Sequence, residues 1–120
     1  MKVIVSSLGP HLEDAVDERF GRAAFFVLVD TLTGAHQAID NSRNQDALQG
    51  AGIGSAELAG EHEAEAVLTG HLGPKAFDAL SKASIAGYQA SGMTVADAVA
   101  AFKGGRLTRI ADAGRANRGR

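Results

Sequence analysis

Residues 66–89 read AVLTGHLGPKAFDALSKASIAGYQ, and the fold turns on how they are read. Ala66-Val67-Leu68 is a short apolar run of strand type. Pro74 suits a first helical position, where a missing N–H costs nothing, and Ala76, Phe77, Leu80 and Ala83 follow it at helical spacing. Ile85 to Gln89 then returns to strand character. A strand, a helix and a second strand in that order require parallel strands joined by a right-handed crossover. The stretch therefore predicts a sheet with a parallel half.

Upstream, Val3-Ile4-Val5 and Phe25-Phe26-Val27-Leu28-Val29 are apolar runs rich in β-branched residues, and both predict strands buried on two faces. Asp30 to Gly34 is a turn in which Gly34 can take positive φ, and Gln37-Ala38-Ile39 completes an antiparallel hairpin. Ile53, Ala56 and Gly60 share one helical face. Downstream, Thr94 with Asp97 makes a capping-box-like start, Val95, Ala98, Val99 and Phe102 form an apolar stripe, and Gly104 is placed to close the helix. The expected architecture is α/β: a mixed five-stranded sheet, three antiparallel strands then βαβα, with three helices. Strands one, four and five run parallel, the hairpin forms the far edge, and the topology is ribonuclease-H-like. One domain is expected over residues 1–110, and residues 111–120 form a basic tail expected to be disordered.

The chain has 120 residues, room for one domain and not two, and it contains no cysteine. That excludes disulfides, thiolate zinc sites, cysteine-ligated clusters and cysteine nucleophiles. No run of about eighteen apolar residues occurs, and the first residues lead into a strand without a signal-peptide cleavage site, so a soluble, cytoplasmic protein without membrane contact is expected. The net charge of −2 is unevenly spread. Six of the twelve Lys and Arg residues lie in residues 103–120 with one acid, Asp112, which leaves six bases against thirteen acids before them. So acidic a body predicts no nucleic acid on the folded domain.

Several motifs fail on inspection. Gly50-Ala51-Gly52-Ile53-Gly54-Ser55 lacks the last glycine of a dinucleotide fingerprint and reads as a glycine-rich helix start that permits close packing. No phosphate loop GxxxxGK and no GxSxG is present. His62-Glu63 begins a zincin motif that then has Ala66 where the second histidine must stand. Nuclease chemistry on this topology needs carboxylates in the first and fourth strands, where the chain has Val3-Ile4-Val5 and Thr69.

What survives lies in the loops. Ligands of sheets with parallel strands sit at the strands' carboxyl ends, and that rule selects the segments after strands one, four and five. They bring His11, His71, Arg19 and Arg22 near two helix N-termini, with Gly70, Gly73 and Gly92 allowing a bulky anion close to the backbone. His71 can ligate a metal through a neutral imidazole nitrogen, whereas Arg19 and Arg22 can only pair with anions, or with the neighbouring Asp14, Asp17 or Glu18. The connections 8–23 and 41–50 exceed the usual length, as functional loops often do.

Residues 16–23 (VDERFGRA), FVLVDTLTG from Phe26 to Gly34, GAGIGSAELAGEHEAEAVLTGHLGPKAFDAL from Gly50 to Leu80, and GMTVADA from Gly92 to Ala98 resemble the dinitrogenase iron–molybdenum cofactor biosynthesis family, the NifX-like proteins. The resemblance spans about residues 1–110. It implies a ribonuclease-H-like fold without nuclease residues and a carrier, not an enzyme, that binds an iron–sulfur or iron–molybdenum cluster noncovalently and passes it to a scaffold or apo-enzyme in nitrogen-fixation metallocofactor assembly. Cofactor-carrying members often have His-Phe-Gly where this chain has Arg19-Phe20-Gly21, and many have Cys where it has Leu72. By that resemblance the cluster would be held by His71 as metal ligand, by His11, by charge pairing with Arg19 and Arg22, and against Gly70, Gly73 and Gly92. The alternative is a regulatory or protein-interaction module of the same fold that binds a small anion or partner protein, with the arginine-rich tail as docking segment. An enzyme would have to draw its acid or base from Asp17, Glu18 or His71. The free edge of strand three leaves a homodimer open.

Overall fold

Val3, Ile4 and Val5 have no exposed surface, because they form the middle of β1 (Lys2–Ser7), the central strand of a six-stranded mixed sheet. The computed structural model describes residues 1–113. Strand order is β3-β2-β1-β4-β5-β6, with β2 (Phe25–Asp30), β3 (His36–Asp40), β4 (Ala66–Thr69), β5 (Ala86–Gln89) and β6 (Thr108–Arg109). As expected, β1, β4 and β5 run parallel, β2 pairs antiparallel with β1, and β3 closes the hairpin. Gly34 turns it with φ +81.

Alternation along each strand feeds two cores. Ile4, Phe26 and Val67 point to one face, where α2 (Ala51–Glu61) and α3 (Pro74–Lys82) pack through Ala56, Ala59, Ala76 and Leu80. Val3, Val5, Val27 and Leu68 point to the other, where α4 (Val95–Lys103) packs through Val95 and Ala98. Each large side chain so buried contributes about 1.5–3 kcal/mol, which is why the strands carry bulk on both sides. The result is three layers, helix, sheet, helix.

The structure corrects four expectations. The sheet has six strands, not five: β6 is two polar residues long and has no apolar run of its own. It is recruited by the free edge of β5, with Leu107 and Ile110 on either side of it packing into opposite cores. A fourth helix, the single turn α1 (Ser42–Gln45), occupies the 41–50 connection and buries nothing. The buried face of α2 is Ala51, Ser55, Ala56 and Ala59, while Ile53 is 41% exposed and Gly60 is exposed. Small residues are selected there because a Cβ on Gly52 would already lie 3.1 Å from Ala76 Cβ of α3. Finally, Thr94 Oγ1 caps α4 by accepting the Asp97 N–H (3.1 Å), but the left-handed residue that closes it is Gly105 (φ +70), not Gly104 (φ −83). Arg106 N–H to Ala101 O, 2.9 Å, completes a Schellman closure. Of the basic tail expected to be disordered, residues 114–120 lie outside the described ones.

Candidate functional site

The 8–23 connection is a strap laid across the carboxyl ends of the strands. Val16 bridges Ser7, Ala15 bridges Thr94, and Arg19 bridges His71, with the Phe20 N–H donating to His71 O at 3.4 Å. Beneath it Ser6 Oγ lies 2.7 Å from both Asp17 O and Thr69 Oγ1, so a buried hydroxyl pair, not a carboxylate, stands at the end of β4.

On the α2 and α3 side the strap encloses a cavity of about 450 Å³. Its lining brings together the strap residues Arg19, Phe20 and Arg22, His71 of the β4–α3 loop, and the first residues of two helices, Ala51 and Gly52 of α2 and Pro74 and Lys75 of α3. No lining residue is acidic, in a body that carries thirteen acids against six bases. Both helices begin at a glycine, Gly50 and Gly73, and neither has a side-chain cap. Their first N–H groups are therefore left to solvent or to a ligand, and each helix end adds partial positive charge. Gly21, Gly52 and Ala76 form the floor: a Cβ on Gly21 would lie 2.9 Å from Gly52 Cα. Lack of side chains lets three chain segments meet there.

Of the residues singled out in the sequence, Arg19, Arg22, His71 and Gly73 line this cavity. His71 is exposed, and Gly73 has open space where a Cβ would stand. Arg19 is paired with the buried Asp17, whose carboxylate accepts its backbone N–H (3.0 Å) and Nε–H (3.3 Å). Arg22 donates from Nη1 to Gln45 O (3.0 Å) and Ala47 O (2.8 Å), clamping the 41–50 connection beside the cavity. His11 lies elsewhere, an exposed side chain 3.5 Å from Asp14. Gly70 and Gly92 are taken up internally: Glu18 crosses over Gly70, and its Oε2 accepts the Gly92 N–H at 3.2 Å. The second helix N-terminus of the cavity is thus that of α2, not α4.

Sequence reasoning passed over Lys75 and Asn41, and took Gly52 only as part of a close-packing helix start. Asn41, 1% exposed, donates from Nδ2 to Ala23 O (2.9 Å) and Ser55 Oγ (3.2 Å), and Ser55 Oγ donates to Gly21 O (2.9 Å), so the two residues hold the cavity loop to α2. The glycine-rich run at residues 50–55 was the available signal for the α2 side. Among the described residues no three His, Asp or Glu side chains converge on a point that could hold a metal ion. No helix among them is long and apolar enough to cross a membrane.

Comparison with known proteins gives the chain its family. The apo form of the orange protein from Desulfovibrio gigas superposes with a TM-score of 0.92 and 42% identity, covering 95% of this chain and 96% of that one. A Thermotoga protein solved by NMR, described as a candidate NifB protein of the DUF35 family, gives 0.84 and 30% over 97% and 98%. A Methanocaldococcus jannaschii protein described as a candidate dinitrogenase shares the fold alone, at 0.68 and 18% over 93% and 96%. No curated protein sequence matches. The family model described as dinitrogenase iron-molybdenum cofactor matches residues 1–105. The chain belongs to the dinitrogenase iron-molybdenum cofactor family.

Proposed function

We propose that the protein is a non-enzymatic cytoplasmic carrier that takes an anionic iron–sulfur or iron–molybdenum cluster into the cavity and hands it to a metallocofactor scaffold or apo-enzyme. The observation that carries this reading is the convergence of two uncapped helix N-termini, Arg19, Arg22 and Lys75 on one acid-free cavity beside the exposed His71. Family membership supports a role connected with cofactor assembly, and the likeness to an orange protein described in an apo form supports a binding role.

The donor set fits an anion held without thiolates. Backbone N–H groups and guanidinium N–H groups make charge-assisted hydrogen bonds to anionic sulfur or oxygen, and the His71 imidazole offers one neutral nitrogen to a metal. A site with one ligating side chain and several charge contacts releases its cargo to a recipient that supplies more ligands, as delivery requires. Retention in such a site weakens as salt rises.

The test is anaerobic titration of the metal-free protein with isolated iron–molybdenum cofactor, followed in the visible spectrum, wild type beside His71→Ala. Saturable binding lost in the variant supports the carrier. Absence of binding by wild type overturns it in favour of a regulatory or interaction module, and equal binding by the variant removes His71 as ligand.

A further inference from the structure

In the sequence Glu18 is one acid in a charged strap; in the fold it holds two strand ends together. Its backbone passes the residue after β4 so closely that a Cβ on Gly70 would lie 2.7 Å from Glu18 Cα and 2.8 Å from Glu18 O. Its side chain reaches on to the β5–α4 turn, where Oε2 accepts the Gly92 N–H at 3.2 Å. Helix α3 leaves β4 to one face of the sheet and α4 leaves β5 to the other. Glu18 therefore spans the crevice in which ligands of such sheets ordinarily bind. The neighbouring contacts continue the anchoring: Asp17 holds the Arg19 N–H, and the Phe20 N–H reaches His71 O.

We propose that Glu18 is a positioning residue of the anion site: from the surface it bridges the segments that follow β4 and β5 and fixes the strap so that Arg19 stands beside His71. This rests on the carrier reading for its cargo and on the fold alone for the anchoring. Charge and position make opposite predictions. A carboxylate near an anionic cargo repels it, so if charge were all, Glu18→Ala and Glu18→Gln would tighten binding equally. Under positioning, Glu18→Ala binds about threefold to tenfold more weakly, the loss of one hydrogen bond's net contribution. Glu18→Gln keeps an acceptor for Gly92 and binds at least as tightly as wild type.

The experiment uses the full chain with two readouts: amide hydrogen exchange of Phe20 in the cargo-free protein, and anaerobic titration with isolated iron–molybdenum cofactor. Faster Phe20 exchange and weaker binding in Glu18→Ala, both restored in Glu18→Gln, support the proposal. Unchanged Phe20 exchange in Glu18→Ala overturns it, and so does Glu18→Ala binding as tightly as wild type. If wild type binds no cofactor the carrier reading falls, and the exchange readout alone decides whether Glu18 anchors the strap.

Discussion

Replacing Arg22 by Ala separates the two tasks that the guanidinium can perform at the cavity. Its Nη1 is committed to Gln45 O and Ala47 O, at 3.0 and 2.8 Å, while its remaining N–H groups have no hydrogen-bond acceptor among the described residues. A net hydrogen bond contributes about 1 kcal/mol, and one from a charged donor about 1.5–3. Arg22 is half-buried and water can reach the freed carbonyls, so the lower figure applies and the loss is about 2 kcal/mol for the pair. With a urea slope of roughly 1–3 kcal/mol/M, the unfolding midpoint falls by about 1 M. The loss is also local. Asp46 and Ala47 N–H groups, bonded to Ser42 O (2.9 Å) and Asn44 O (3.2 Å), should exchange faster by more than the global destabilisation explains. Lysine at the same position reaches one carbonyl, so Arg22→Lys should recover about half of the midpoint shift while keeping the positive charge for cargo. Urea melts by far-UV circular dichroism and amide exchange by NMR make the measurement. If Arg22→Ala melts at the wild-type midpoint with unchanged exchange at Asp46 and Ala47, the clamp contributes nothing and Arg22 serves the cavity alone.

Asn41→Ala strips the buried partners of Ala23 O and Ser55 Oγ and should cost about 2–3 kcal/mol, read as a lowered urea midpoint; a loss below about 0.5 would show that water replaces the amide. Gly70→Ala forces Glu18 away from the turn after β4, and an overpacking cost of about 1–3 kcal/mol is expected from thermal melts, with no loss if the strap moves freely. The Leu32 N–H, with that of Thr33, holds the Asp30 carboxyl below the ordinary aspartate range, and the Ser42 hydroxyl and N–H do the same for Asp40. Because the folded value is the lower one, their stabilisation is complete at neutral pH and is lost only as pH falls through those depressed values. NMR titration of the Leu32 and Ser42 amide shifts should therefore show midpoints below about 3.9, and midpoints at or above it would contradict the hydrogen bonds.

The strands of the sheet were legible because their residues are bulky, apolar and continuous, and the α3 and α4 starts because Pro74 and Thr94 act locally. The α2 face was not. Six of its eleven residues are Ala or Gly, so no apolar period distinguishes its sides, and packing against Ala76 decides which one is buried. Strand β6 escaped for a related reason: its two exposed residues acquire strand geometry only from the edge they join. At the site, residue chemistry marked His71, Arg19 and Arg22, whereas nothing in the sequence singled out Lys75, which the start of α3 places in the cavity lining.

The sequence by itself determined the α/β class, the parallel β1, β4 and β5, the hairpin edge, the absence of thiolate chemistry and the imidazole and guanidinium groups available, because each follows from residue type or from periods of a few positions. Tertiary structure alone decided which of those groups share a cavity. It paired Arg19 with Asp17, spent Gly70 and Gly92 on Glu18, sent His11 to Asp14, and brought the α2 N-terminus beside that of α3. Those contacts depend on how a strap of sixteen residues and two glycine-led helices close over one end of the sheet, and that closure is set by packing between segments far apart in the chain.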